Sequence, residues 1–366
     1  MQLQLIDIFS LSRSYVSVIL GLCWFFGVST TLSTAQPVEN KTSGVPLNEI
    51  QHVLVTTLAL TERGLQDSSD IHRVVSTRLE QAGFSPVADA TMPHDITVRV
   101  KCEERKSKTG PGKHRKGGHA MSTASRLWQG PACRISYRQE GKPTLWSREV
   151  RTVFEEARQA AKAAGATNSG LYALQKLQAQ LSKDDFPLYL TAEWGQTDRL
   201  ITLFQKATDH IDRRRLILQL LGPLSSPNAL TTIQEATHDP ALASTAIEAL
   251  GDQGEVAITA LIEILKTPGE PEQHLAALQA LSEIATHSAT PILFDLFVQQ
   301  LQSPDPRMQT IAVRGLGSLG NQRAVDPINT LNVEAWSNPS THPDMHALRE
   351  ALNDTLYQLD PSAGSH

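Results

Sequence analysis

The C-terminal half of the chain repeats one pattern of apolar and polar positions four times. In the clearest copy, residues 305–320, an Asp-Pro pair precedes an apolar helical face that ends in glycine. The leucine shared by the copies stands at Leu221, Leu250, Leu281 and Leu316. By their sequence numbers, successive leucines are 29, 31 and 35 residues apart. A repeat of about 30 to 45 residues is typical of stacked helical hairpins, because one hairpin is too small to bury its apolar face alone.

Each copy also carries residues that begin and end a helix. Asp305 is predicted to cap the free N–H groups of a first helix, with Pro306 in the first turn, where proline is tolerated. Glycines near and after the end of the first helix fit a tight turn. They stand at Gly222, Gly251, Gly254, Gly317 and Gly320. Second helices are predicted over residues 256–265, 291–301 and 324–331, and a terminal capping helix over 345–359.

Residues 36–190 mix the periods of strands and helices, which predicts a small α+β domain. Apolar and polar residues alternate over 96–102 and again over 133–137, as in half-buried strands. A helix is predicted to begin with Asp70 as its N-cap and to end at Gly83. Further predictions are a strand around 53–55, a hairpin strand over 145–153, and a helix over 154–182 with a break near 165–170.

The N-terminus has the pattern of an export signal. An apolar run over residues 15–28 is too short for a comfortable membrane span, and residues 33–35 offer a cleavage site with small side chains. We therefore predict a signal peptide over residues 1–35 and an exported protein, periplasmic or secreted, with no transmembrane segment after cleavage. The alternative is an uncleaved signal that anchors the protein in the inner membrane.

Removal of that signal leaves two of the chain's three cysteines, Cys102 and Cys133. Both lie in phase with the apolar face of their predicted strands. An even number of cysteines in an exported protein favours a disulfide, which would close the base of the loop 103–132. The alternative is two buried free thiols that pack as small apolar side chains.

Charge is divided unequally along the chain. Residues 36–190 carry 22 Lys and Arg against 16 Asp and Glu, whereas residues 191–366 carry 10 against 21. The negative C-terminal region is expected to attract a protein partner with a basic surface. The overall net charge of −5 gives no indication of a nucleic-acid partner. The predicted partner-binding residues, on the second helices, are Glu255, Thr259, Glu263, Asp295, Gln299 and Asp326.

The loop 103–132 has the most unusual composition in the chain, with glycines and clustered cations between residues 106 and 119. It is not a P-loop, because no Gly-Lys-Ser/Thr follows a first glycine at the required spacing. Flexible glycines and cations can wrap an anionic ligand; the alternative is a solvated loop without a ligand. The candidate anion-binding residues are Lys106, Lys108, Lys113, Arg115 and Lys116.

No catalytic constellation is recognisable in the sequence. His114 and His119 lie between the two cysteines, but their glycine-rich context lacks the paired short spacings of structural zinc sites. His342 and His346 flank Pro343, so a shared helical face for a metal is not expected. We therefore predict no catalytic residues, no metal and no cofactor.

Residues 196–332 resemble the HEAT repeat family, in particular the short HEAT-like repeats of the phycobilisome-lyase type. The resemblance rests on the leucines and glycines above and on the small residues Ala246, Ala277 and Ala312. It implies an α-solenoid whose second helices line a concave, protein-binding face. Among enzymes with such repeats, deoxyhypusine hydroxylase holds iron through His-Glu pairs, and no His-Glu dipeptide occurs in this sequence. Nothing in the residues singles out the tetrapyrrole carriage of the bilin lyases.

Together these features predict a multidomain protein. A signal peptide over 1–35 precedes a small α+β domain over 36–190, and an all-α solenoid of HEAT-like hairpins with a terminal capping helix follows over 191–366. The expected function is that of an exported, non-enzymatic adaptor or scaffold, which binds another protein through its acidic repeat surface. The alternative is an accessory protein that binds an anionic ligand through the basic loop.

Overall fold

A computed structural model describes residues 44–104, 130–139, 142–288 and 290–360. The predicted signal peptide and all five candidate anion-binding cations of the loop 103–132 lie outside the described residues. Within these ranges a small sheet region is followed by a helical region, and both belong to one compact unit. None of the helices described is long and apolar enough to cross a membrane.

The described part of the sheet region contains one sheet of six strands. The strands are β1 (His52–Thr61), β2 (Gly64–Gln66), β3 (Ser85–Val87), β4 (Ile96–Glu103), β5 (Ala132–Gln139) and β6 (Lys142–Arg151). Their order is β2-β1-β4-β5-β6, with β3 paired to β1. β4 runs parallel to β1, whereas β5 and β6 continue the sheet antiparallel. The two alternating segments of the sequence are thus confirmed as adjacent strands, β4 and β5.

Fourteen α-helices lie in the described residues, most of them after the sheet. The helices associated with the sheet are α1 (Ser69–Gln81), α2 (Ala157–Ala163) and α3 (Ser169–Leu181). The helical region contains α4 (Phe186–Glu193), α5 (Thr197–Lys206), α6 (Ile211–Leu221), α7 (Pro227–Ala236), α8 (Ala243–Asp252), α9 (Ile258–Lys266), α10 (Pro271–Ala285), α11 (Pro291–Gln300), α12 (Pro306–Leu319), α13 (Val325–Ser337) and α14 (Pro343–Leu359).

One face of the sheet is buried against α1 and α3. The alternation in β4 decides which residues reach that core: Val98 and Val100 are fully buried, while Arg99 between them is exposed. At the start of α1 the sequence prediction was wrong. The N-cap is Ser68, and Asp70 lies in the first turn, where it pairs with Arg73. An acidic side chain in that turn still interacts favourably with the helix dipole.

The helical region contains a row of helices that pack each against the next. We call α4, α6, α8, α10, α12 and α14 the first-row helices, because each contacts its successor in this order. The helices between them, α5, α7, α9, α11 and α13, are called the intervening helices. Each intervening helix packs against the first-row helix that follows it. One apolar core therefore continues from hairpin to hairpin.

Small residues explain why the first-row helices come so close. A Cβ placed on Gly251 would lie 3.1 Å from the Cβ of Ala280, and one on Gly317 would lie 3.0 Å from a methyl carbon of Thr355. Both glycines lie near the end of their helix, as predicted, but they belong to α8 and α12 and face the neighbouring helix instead of forming the turn. The turn after α12 is made by Gly320, whose φ of 62° favours glycine.

The predicted start of α12 is confirmed in atomic detail. The carboxylate of Asp305 accepts a hydrogen bond of 2.9 Å from the backbone N–H of Arg307, and Pro306 occupies the first helical position. The repeat copy that contains Leu250 also has an Asp-Pro pair, Asp239-Pro240, but α8 begins only at Ala243. The side chain of Asp239 instead accepts the N–H of Ala241 in the preceding turn. Similar sequences therefore produced a cap in one copy and a turn in another.

Aromatic and polar contacts join the sheet region to the helical region. The indole of Trp194, at the end of α4, is almost completely buried and makes edge-to-face contacts with Phe84 and Tyr137, at centroid distances of 5.2 and 5.6 Å. The Tyr137 hydroxyl donates a 2.9 Å hydrogen bond to Glu193. Burial and this carboxylate raise the pKa of Tyr137 to about 12. The two regions therefore share part of their core.

Candidate functional site

The six predicted partner-binding residues all lie on exposed positions of intervening helices or the turns before them. Glu255 lies in the short 3-10 turn before α9, which carries Thr259 and Glu263. Asp295 and Gln299 lie one helical turn apart on α11. Asp326 lies in the first turn of α13. The structure thus distributes the set over three helices on the intervening side, and only Glu263 lines a described cavity.

That cavity is an open groove of about 440 Å³ between α7 and α9. Its floor is formed by the buried side chains of Ile247 and Leu250 from α8, with the half-buried Ile264 on one wall. The loop after α9 closes one end of the groove. Leu250 belongs to the leucine pattern of the repeats, but the gap between two intervening helices has no sequence signal, because it depends on the packing of separate segments.

Polar side chains at the rim surround this apolar floor. Gln234 and His238 come from the α7 side, Glu263 from α9, and Gln273 from the start of α10. His238 and Glu263 are exposed, so solvent screens their charges. An apolar floor with polar groups at its edge can accept an apolar side chain and orient the chain that carries it.

A second acidic feature lies on the first-row helices. Asp252 at the end of α8 is exposed, yet partial desolvation and then the negative charge of Glu283 on α10 raise its pKa. The side chain of Glu283 accepts a 2.9 Å hydrogen bond from Gln279. Glu248 is exposed one turn before Asp252 on the same helix. Acidic residues therefore occur on the first-row helices as well as on the intervening helices. The sequence had indicated an acidic surface on the second helices alone.

The predicted disulfide between Cys102 and Cys133 is confirmed. The two residues are directly opposed on β4 and β5 and completely buried, and their sulfur atoms are bonded at 2.00 Å. The bond closes the ends of the loop 103–132, as the alternation of the strands had indicated. Because the loop's five candidate cations lie outside the described residues, anion binding by them stays a prediction.

A cluster of charged residues between the sheet and helical regions escaped the sequence analysis. Arg148 on β6 donates two hydrogen bonds, of 2.9 and 3.1 Å, to the carboxylate of Asp184. Burial alone would lower the pKa of Arg148, but Asp184 raises it. Beside them Arg78 donates a 2.6 Å bond to the Asp184 carbonyl, and Arg213 contacts Asp185 at 3.3 Å. Three arginines share two carboxylates here, and these contacts hold the two regions together.

Neither metal sites nor known proteins identify this chain further. In the part of the chain that the structure describes, no three His, Cys, Asp or Glu side chains are grouped so that they could hold a metal ion. No protein-family model matches the sequence, and a search of curated proteins finds none that is significantly similar. The site is therefore assigned from its geometry alone.

Proposed function

We propose that the protein is an exported, non-enzymatic adaptor whose helical region is a HEAT-like solenoid. The successive contacts of the first-row helices support a solenoid, since a stack of hairpins is stabilised mainly between neighbours. The disulfide is compatible with export, because such bonds persist in oxidising compartments. The observation that carries the binding role is the groove between α7 and α9, with its apolar floor.

The partner is a protein segment with an apolar anchor beside basic side chains. The floor of Ile247 and Leu250 would desolvate the anchor, which is where interfaces gain most of their free energy. Glu263 at the rim would attract a neighbouring cation of the partner. Glu255 and Asp295 extend the acidic surface on either side along the chain, and such rim charges act mainly on association rate and specificity.

Photo-crosslinking tests where the partner binds. A photoreactive residue at Thr259, exposed on α9, should capture one protein in the native compartment, which mass spectrometry then identifies. The same residue at Ser244, exposed on the first-row helix α8, is the control and should not capture it. Equal capture from both positions would contradict a specific surface on the intervening helices.

The affinity of the identified partner then tests the two chemical features separately. The triple variant Glu255→Lys, Glu263→Lys, Asp295→Lys should weaken binding roughly tenfold or more at low salt, and less at high salt. Ala260→Trp should fill the groove and weaken binding at any salt concentration. The matched control, Glu248→Lys, Glu283→Lys, Asp354→Lys, changes the charge equally on the first-row side. Loss of binding in the control alone would place the interface on that side and overturn the proposal.

A further inference from the structure

The face of the sheet opposite α1 and α3 carries a cluster of cations. Arg99 on β4 and Arg134 and Arg138 on β5 alternate with the buried core residues of their strands, so they project away from the helices. All three are exposed, and the half-buried Lys101 on β4 lies opposite Arg134. We call Arg99, Lys101, Arg134 and Arg138 the cationic sheet face.

The strand register shows how close these cations are. Lys101 lies directly opposite Arg134, Arg99 opposite Ser136, and Thr97 opposite Arg138. Neighbouring strands are about 4.8 Å apart, and alternate residues of one strand are about 7 Å apart. The four cations therefore occupy one flat patch, roughly 5 by 14 Å at the level of the backbone.

Two carboxylates on this face, Glu103 on β4 and Glu149 opposite Arg134 on β6, balance only part of the positive charge. Lys101 pairs with Glu103 at 2.7 Å on the same strand. Arg99, Arg134 and Arg138 make no ion pair within the described ranges. Three like charges on adjacent strands repel one another, and an external anion would relieve that repulsion.

An apolar side chain accompanies the cations. The pairing of β5 and β6 is irregular between Ser136 and Arg138, and Leu145 lies in the corresponding part of β6. Its neighbour Trp146 packs on the core, so Leu145 points to the opposite side and is fully exposed, at 103%. A large exposed leucine next to cations is typical of surfaces that enter the interface of a bilayer.

We infer that the cationic sheet face docks on a bilayer of anionic phospholipids. The flat array of charges complements a plane of headgroup phosphates, and Leu145 would enter the boundary between headgroups and acyl chains. A nucleic acid fits less well, because the described residues of this face include no aromatic side chain on which bases could stack. This inference is independent of the proposed adaptor function, which concerns the helical region.

Vesicle binding provides the test. The full-length mature protein should co-sediment with vesicles of 30% phosphatidylglycerol in phosphatidylcholine, and not with pure phosphatidylcholine. A cation near an anionic bilayer strengthens partition roughly fivefold, so Arg99→Glu, Arg134→Glu, Arg138→Glu should weaken it roughly 100-fold or more. The matched control is Lys162→Glu, Lys206→Glu, Lys266→Glu, with the same change in charge on exposed helical positions, and it should bind like the wild type.

An experiment at Leu145 distinguishes a bilayer from other anionic partners. The fluorescence of Leu145→Trp, relative to the wild type, should shift to shorter wavelength with the anionic vesicles and be quenched by brominated lipid. Equal weakening by the control triple variant would show non-specific attraction and overturn the inference. Binding to a DNA oligonucleotide in preference to vesicles would overturn the inference and identify a polyanion as the partner. Dimerisation that the Arg→Glu triple variant abolishes would overturn it in favour of a second copy of the chain.

Discussion

At the scale of single residues, the ionised form of an aspartate is stabilised at the start of α12 and destabilised at the end of α8. The side chain of Arg307 donates a hydrogen bond to Asp305 and lowers the pKa of that carboxyl, with the backbone N–H of Arg307 adding to the effect. Asp252 has the opposite surroundings, since burial and then Glu283 raise its pKa. The close approach of α8 and α10, which the small residues permit, brings these two acids together.

This difference predicts that Asp252→Asn stabilises the protein at neutral pH. Because the pKa of Asp252 is raised above 3.8 in the folded state, the unfolded chain releases its proton first as pH rises. The contribution of Asp252 to stability is therefore lost as pH rises from 3.8 through the raised pKa of the folded state. Thermal unfolding should show a higher Tm for the variant at pH 7 and no difference near pH 3.

Glu248→Gln is the matched control for that measurement. It removes an exposed carboxylate one turn away on the same helix, and its Tm should stay close to that of the wild type at both pH values. A lower Tm for Asp252→Asn at pH 7 would mean that the ionised carboxylate is favourable where it lies.

At the scale of elements, segments with a strong period were predicted from the sequence, whereas short or irregular segments were missed. The alternation over β4 and β5 identified both strands and placed Cys102 and Cys133 on the same face. The three-residue strands β2 and β3 were missed, because three residues are too few to show a period. Asp239 and Asp305 both precede a proline, but only Asp305 caps a helix, because α8 begins only at Ala243.

The disulfide should contribute strongly to the stability of the sheet. It joins residues 31 positions apart and so restricts the unfolded chain, an effect of typically 2–4 kcal/mol. The double variant Cys102→Ala, Cys133→Ala should lower the free energy of unfolding in urea by about that amount. The reductant dithiothreitol should destabilise the wild type similarly and leave the variant unaffected. Equal stability of variant and wild type under oxidising conditions would contradict the prediction.

At the scale of the whole molecule, one arginine links the sheet to the helical region. Arg199 on α5 donates hydrogen bonds of 2.6 Å to Gln196 and 2.8 Å to Gln51, and further bonds of 3.3 Å to two backbone carbonyls. Its guanidinium lies 4.0 Å from the ring centre of Phe84. Burial lowers its pKa, so the surrounding acceptors compensate for desolvation. Apart from Gln196, these partners come from distant parts of the chain, which is why no local motif indicated them.

Replacement of Arg199 should loosen the junction between the two regions. Arg199→Ala should lower the free energy of unfolding by roughly 2 kcal/mol, because hydrogen bonds to a charged group are lost. Hydrogen exchange should accelerate in β1 and at the start of α5. Lys206→Ala, exposed on the same helix, is the control and should change little. If hydrogen exchange in Arg199→Ala were faster throughout the protein, and not mainly in β1 and α5, this would argue against a local junction.

The amino-acid sequence by itself determined the helical hairpins, the two central strands and the cysteine pair. Each of these depends on local periodicity or on residues with one preferred backbone conformation, such as Gly320. It also placed the six predicted residues on exposed positions, because helical spacing separates the buried from the exposed face.

Tertiary structure alone decided the groove between α7 and α9, the electrostatic effect of Glu283 on Asp252, and the cationic sheet face. The groove depends on how α7, α8 and α9 pack together, and each of these helices by itself is an ordinary amphipathic segment. The cationic sheet face arises because the register of β4 with β5 aligns cations that lie more than thirty residues apart in the chain. Distances of this kind follow from packing and pairing, which act between segments and leave no pattern within either one.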